Sequence, residues 1–170
     1  IEINDKFKFL KKNINLLDLG CSPGGWSQVA RKCINGGRIL SIDKKIMEKI
    51  SDVEFLQGDF TKKDILYKIS NYFGKKIDVI LSDMAENTSG NKKLDSYRTG
   101  ELCLGAMNLS LQTLHKNGVF ISKLFMGSIF EEINKRAKKN FRKVITFKPL
   151  SSRKESKEIY IYCKDILYFL

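Results

Sequence analysis

The sequence predicts an α/β protein: a mostly parallel sheet with helices on both faces. Short apolar runs alternate with longer amphipathic stretches along the whole chain, as successive strand–helix units require. The strand candidates carry single polar residues at or near their carboxyl ends, namely Asp18, Asp43, Asp59, Asp83 and Lys123. Open α/β sheets gather their ligands there. The 170 residues, 42% of them apolar, suffice for one domain spanning 1–170 with a core of its own.

In chain order, NINLLDLG (13–20) reads as a buried first strand closing on a glycine turn, and WSQVARKCI (26–34) as the helix that follows. RILSID (38–43) and VEFLQGD (53–59) are the next strands. KKDILYKISNYF (62–73) places Ile65, Leu66, Ile69 and Phe73 on one helical face. KIDVILSD (76–83) is a strand ending on an acid. ENTSGNKKLDS (86–96) has the densest turn chemistry and reads as a mobile loop. ELCLGAMNLSLQTLH (101–115) is a long helix, stopped by KNG ahead of the strand VFISKLF (119–125). SIFEEINKRAKKNF (128–141) is an amphipathic basic helix, and KVITF and EIYIYC are the last two strands. No internal repeat or low-complexity linker interrupts the series.

The chain carries 31 Lys+Arg against 19 Asp+Glu, a net +12. Between Glu131 and Lys157 ten basic residues stand against three acids, a surface suited to phosphate backbones. Charge alone fits a solvated lysine-rich face equally well. Four cysteines (Cys21, Cys33, Cys103, Cys163) without a CxxC pair, and a single histidine, argue against a zinc site or dithiol chemistry. Free thiols in a reducing compartment fit, and no metal is expected. No apolar run reaches the length of a membrane span, and no secretory pattern opens the chain. It starts on Ile1 rather than methionine, as a piece of a longer chain would. Cytoplasm, mitochondrion, another organelle and nucleus are all open as locations, and a monomer is the default.

DLGCSPGGW (18–26) sets glycines at 20, 24 and 25, letting the backbone turn sharply and a ligand approach closely. The spacing is not GxGxxG, which disfavours a dinucleotide pyrophosphate. Asp43 closes the second strand, where an acid commonly takes two ribose hydroxyls. Asp59, in QGDF, can accept from an exocyclic amine with Phe60 beside the ring. Any one of these acids alone would read as a cap or turn residue; at successive strand ends they read as a nucleoside site. Acids without a phosphate cradle suit a cationic nucleoside, and S-adenosyl-L-methionine, with its sulfonium, is the cofactor that fits.

Taken together, DLGCSPGGWSQ, FLQGDF, LSDMAENTSG, VFISKLF and SSRKESKEIYI resemble, in order and spacing, the FtsJ-like (RrmJ/RlmE) methyltransferases, which methylate a ribose 2′-oxygen of RNA. The resemblance covers essentially the whole chain. It implies a Rossmann-like class I S-adenosylmethionine-dependent methyltransferase whose seven-stranded sheet ends in an antiparallel hairpin. It implies cofactor contacts from Gly24, Trp26, Asp43, Asp59 and Asp83, and the rest of the glycine turn (Gly20, Ser22, Pro23, Gly25) and Phe60 are expected to line the same site. Of the family's Lys-Asp-Lys-Glu constellation, Asp83, Lys123 and Glu158 match the last three members. The first lysine belongs just upstream of Ile1; Lys6 and Lys8 are out of register. The family's APN is AEN here, with Glu86 in place of proline. The short length resembles the bacterial and mitochondrial enzymes that methylate a uridine of large-subunit ribosomal RNA. Transfer RNA is the alternative substrate, and a noncatalytic RNA- or ribosome-binding module of the same fold is the alternative class.

Lys123 asks for a reason. An ammonium is costly to bury in an apolar strand, and a strand end reaching into water is the plain explanation. The resemblance implies instead that Lys123 assists loss of the ribose hydroxyl proton, as a neutral base or as a charge stabilising the oxygen. Asp83 would orient it, and Glu158 would position it or the ribose. Ser152 and Arg153, with Lys138, Lys139 and Arg142 ahead of them, are expected to form one RNA-docking surface. Trp26, the only tryptophan, is expected to pack at the glycine turn rather than stack on a target base.

Overall fold

A computed structural model describes residues 1–85, 89–153 and 155–167, with Lys92 in backbone only. Glu86 and Lys154 lie outside the described residues. The strands are β1 (Leu16–Leu19), β2 (Ile39–Asp43), β3 (Glu54–Gln57), β4 (Ile77–Ser82), β5 (Leu114–Phe125), β6 (Phe141–Phe147) and β7 (Glu158–Ile166). The helices are α1 (Glu2–Phe7), α2 (Gly25–Cys33), α3 (Lys63–Phe73), α4 (Lys92–Thr113) and α5 (Phe130–Asn140). The strands form one sheet in the order β3-β2-β1-β4-β5-β7-β6. β1 to β5 run parallel, and β7 inserts antiparallel between β5 and β6. Chain order reverses between β1 and β4, which opens a crevice at their carboxyl ends.

Leu16, Leu17 and Leu19 are fully buried, as a central strand covered on both faces requires. Strand alternation divides them. Leu17 and Leu19 join a core with Ile69 of α3, Met107 of α4 and Ile133 of α5. Leu16 joins a second core on the other face, with Ile3 of α1 and Ala30 of α2. α3 forms as its spacing predicts: Ile65, Ile69 and Phe73 recur every four residues and bury, and Gly74 ends the helix in the left-handed region.

Three elements differ from expectation. α4 begins at Lys92, so it takes in the last five residues of the segment read as a mobile loop. Its first turns are polar, without apolar periodicity, but the Asn91 side chain caps them, accepting from the Lys93 and Leu94 N–H groups at 3.1 and 3.3 Å. Asp95 reaches back to the Ser89 N–H and hydroxyl at 2.8 and 2.7 Å. β5 begins at Leu114, so the KNG stop lies inside the strand, where a register irregularity between Ile77 and Val79 of β4 accommodates it. α1 was not anticipated: it is six residues long and buries Ile3 alone, too little for a periodic signal.

Candidate active site

β1 delivers the chain into the crevice through Gly20. Its φ of 73° is one that side chains rarely adopt, and a Cβ there would collide with Met84. Asp43 holds the turn in place. Its Oδ2 accepts the Ser22 N–H at 2.9 Å and its Oδ1 the Lys45 N–H at 2.8 Å. Each oxygen keeps a lone pair, so the carboxylate can still take ligand hydroxyls. Asp59 accepts the Thr61 N–H and hydroxyl at 3.0 and 2.7 Å and pairs with Lys44 at 3.0 Å. Burial raises its pKa, but the Thr61 bonds and the Lys44 charge outweigh that and hold the carboxyl down at about 2.

Asp18 lies behind the turn, wholly buried. The Ser27 hydroxyl donates to its Oδ2 at 2.6 Å and shares a 2.8 Å bond with Ser41, while Oδ1 has no partner among the described residues. Burial pushes this carboxyl up to about 7 against the pull of Ser27, and the Asp83 and Asp43 charges add to the rise.

The reactive cluster sits where β4 and β5 end. Lys123 Nζ lies 3.0 Å from Asp83 Oδ1, with the two side chains 13% and 26% exposed. The lysine is therefore held at the cavity wall and does not reach freely into water. The same oxygen accepts the Tyr160 hydroxyl at 3.3 Å. Tyr160 is the cross-strand neighbour of Lys123 on β7. Burial raises the Tyr160 hydroxyl well above its usual pKa, and the Asp83 and Glu158 carboxylates raise it further. It therefore stays protonated and acts as a donor. Sequence reasoning missed Tyr160; the signal was its position two residues after Glu158, on the same strand face. Glu158 starts β7 opposite Phe125, two residues before Tyr160.

A cavity of about 680 Å³ adjoins the cluster, within the range of small-ligand sites. Gly20, Ser22, Asp43, Asp59, Phe60 and Asp83 line it, with Lys123 at its wall. Met84, Arg98 and Leu102 are also among its lining, and nothing in their local pattern distinguishes them from core or surface. Phe60 is buried in the core and meets the cavity as its wall.

Four expected cofactor residues are not among the residues lining this cavity. Gly24 faces Met47 and Ile50, and Pro23 is exposed after a cis peptide. Gly25 and Trp26 line a separate cavity of about 240 Å³ with Ile1 and Ile3. Trp26 packs against Tyr160 with ring centroids 5.6 Å apart. α2 starts at Gly25, so its side chains point to the α1–α2 face of the sheet. Trp26 lies beside the turn against Tyr160, the residue whose hydroxyl donates to Asp83. Lys6 lies over the Phe147 ring at 4.8 Å and Lys8 pairs with Asp5 at 3.5 Å, so neither joins the cluster.

The expected RNA-docking surface divides in two. Ser152 and Arg153 lie in the β6–β7 connection, at the Lys123 end, where the Leu150 and Ser151 N–H groups donate to the Glu2 carboxylate at 2.7 and 3.0 Å. Lys138 and Lys139 lie in the last turn of α5 and Arg142 is the second residue of β6. β6 runs parallel to β5 because β7 lies antiparallel to both, so these three residues sit at the opposite end of the sheet.

A reversed α/β sheet with a glycine turn after β1, an acid ending β2 and a ligand-sized cavity between them has the architecture of a class I methyltransferase. The chain belongs to the FtsJ-like methyltransferase family, whose profile it matches over residues 1–166. It is 51% identical over 164 residues to the Ribosomal RNA large subunit methyltransferase E of Pelagibacter ubique, covering 96% of this chain and 81% of that one. The protein of the same description from Rickettsia felis is 43% identical over 167 residues, covering 95% and 74%. A crystal structure from Plasmodium falciparum, described as a ribosomal RNA methyltransferase, superposes with a TM-score of 0.86 at 37% identity, covering 98% and 93% of the two chains.

Proposed function

We propose that this chain methylates a ribose 2′-oxygen of large-subunit ribosomal RNA with S-adenosylmethionine as methyl donor. The observation that carries the reading is the Lys123–Asp83–Tyr160 cluster at the wall of a nucleoside-sized cavity, in a chain whose relatives bear the names given above. The cavity fits the donor: Asp43 retains acceptor capacity for ribose hydroxyls, Asp59 is ionised and faces the same space, and Phe60, Met84 and Leu102 supply apolar walls. S-adenosylmethionine, when bound, supplies an electrophilic methyl group.

The chain's own residues position the acceptor and manage its proton. A ribose hydroxyl is a poor nucleophile, so holding it at the cavity wall supplies much of the rate. Lys123 faces that position, and its nitrogen either takes the hydroxyl proton as an amine or donates to the oxygen as an ammonium while solvent water takes the hydroxyl proton. Asp83 fixes Lys123, and Tyr160 fixes Asp83 from the neighbouring strand. Ser152 and Arg153 offer phosphate contacts at the same end of the sheet.

The test is methyl transfer from labelled S-adenosylmethionine to large-subunit particles and to bulk transfer RNA, with the product mapped by nucleotide. The chain used is extended upstream of Ile1 by a segment carrying the lysine that the family resemblance places there. A 2′-O-methyl in the large-subunit RNA, lost in Lys123→Ala while cofactor binding stays within severalfold, is the expected result. Label in transfer RNA alone would overturn the substrate. Binding of cofactor and RNA without transfer would favour a noncatalytic RNA-binding module.

A further inference from the structure

The sheet carries a second cavity, at the end remote from the cluster. The starts of β4 and β5 and the end of β7 surround a bowl of about 620 Å³. It lies roughly 13–20 Å from Lys123, the rise of four to six strand residues. Lys8, Lys11, Lys116, Arg142 and Lys164 ring it. They come from four separate stretches: the α1–β1 connection, β5, β6 and β7. The fold assembles this charge from stretches far apart in the sequence.

Few opposite charges offset it. Asp78 and Asp165 share the bowl, and Asp78 is committed to the fold, its Oδ2 accepting the Asn15 N–H at 2.8 Å. Lys8 has its exposed pair with Asp5, of little energetic weight. Lys11, Lys116, Arg142 and Lys164 have no ion pair among the described residues. Phe7 and Tyr162 stack beneath them, with ring centroids 4.1 Å and planes 11° apart, giving the bowl a firm floor. Cations converging on one concavity repel one another and focus a positive field into it. A single phosphate would meet one or two of them; a chain of phosphates meets the whole ring.

We propose that this bowl is a second RNA site, gripping the backbone of a segment remote from the one presented to Lys123. The inference rests on the reading that the substrate is RNA. Two sites at opposite ends of one sheet select a folded RNA over a short strand. They also give Arg142 a docking role at the end where the fold has placed it, with Lys138 and Lys139 on the same edge.

The test measures binding of a folded large-subunit ribosomal RNA transcript across a salt series, without reading methyl transfer. The chain is compared with a Lys11→Gln, Lys116→Gln, Lys164→Gln variant. The slope of log affinity against log salt is expected to become shallower by about 2 to 3, at 0.7–0.9 for each phosphate no longer neutralised. A triple Lys→Arg variant at the same positions keeps the parent slope. A matched Lys32→Gln, Lys63→Gln, Lys68→Gln variant removes equal charge from exposed sites on α2 and α3 and also keeps it. Equal slope losses in both Gln triples, or a loss in neither, overturn the proposal. If thermal unfolding shows the first triple to be misfolded, the exposed single change Lys116→Glu stands in; it must weaken transcript binding severalfold, and no change overturns the proposal. Binding as expected here, with no transfer by the extended chain in the methylation assay above, would leave this site standing and sink the catalytic reading.

Discussion

Replacing Asp18 by Asn tests whether the buried acid behind the glycine turn titrates as its surroundings dictate. The carboxyl is raised from 3.8 to about 7. That is about three pKa units, or on the order of 4 kcal/mol between protonation states at 1.36 kcal/mol per unit. The folded value lies above the unfolded one, so the folded chain keeps a proton that the unfolded chain has released. Stability from this group is therefore intact below about pH 4, falls as pH rises, and is fully lost above about pH 7. Between pH 5 and pH 8 the loss is about 2.5 kcal/mol by the same linkage. Asp18→Asn removes that slope while keeping an acceptor for Ser27. It also places an amide donor near the unpartnered Oδ1 position, at a cost of about 1–3 kcal/mol for a buried unsatisfied group. The variant should match the parent at pH 5 within about 1 kcal/mol and exceed it at pH 8 by about 1–3 kcal/mol. Urea unfolding of the ligand-free chain at both pH values measures this. Parallel pH dependence in parent and variant would refute the argument.

Two further substitutions probe the cluster and the turn. Tyr160→Phe removes the donor to Asp83, and methyl transfer should fall about fivefold for a bond worth about 1 kcal/mol, with cofactor affinity unchanged; an unaltered rate would make Tyr160 a core residue only. Gly20→Ala puts a Cβ against Met84 at a φ of 73°, which should cost about 1–3 kcal/mol in denaturant unfolding and weaken cofactor binding. Equal stability and affinity would show that the turn relaxes freely.

Much of the fold was open to reading because its signals are local. The β1–α2 turn, the α3 spacing and the acids at strand ends each depend on neighbouring residues, and Asp43, Asp59, Asp83 and Lys123 stand where those patterns put them. α4 escaped at its start because a cap, and not periodicity, begins it. The short α1 buries a single residue and leaves no pattern to find.

The chain by itself determined the alternation, the parallel sheet and the polar residues at its carboxyl edge, since periodicity and turn chemistry act over a few residues. Tertiary structure alone decided what depends on β7 entering between β5 and β6. That insertion sets Tyr160 beside Lys123, turns Arg142 and its neighbours to the far edge and closes the basic bowl with Lys164. Strand register couples positions far apart in the chain, and it is set by packing of the two cores, which no local stretch contains.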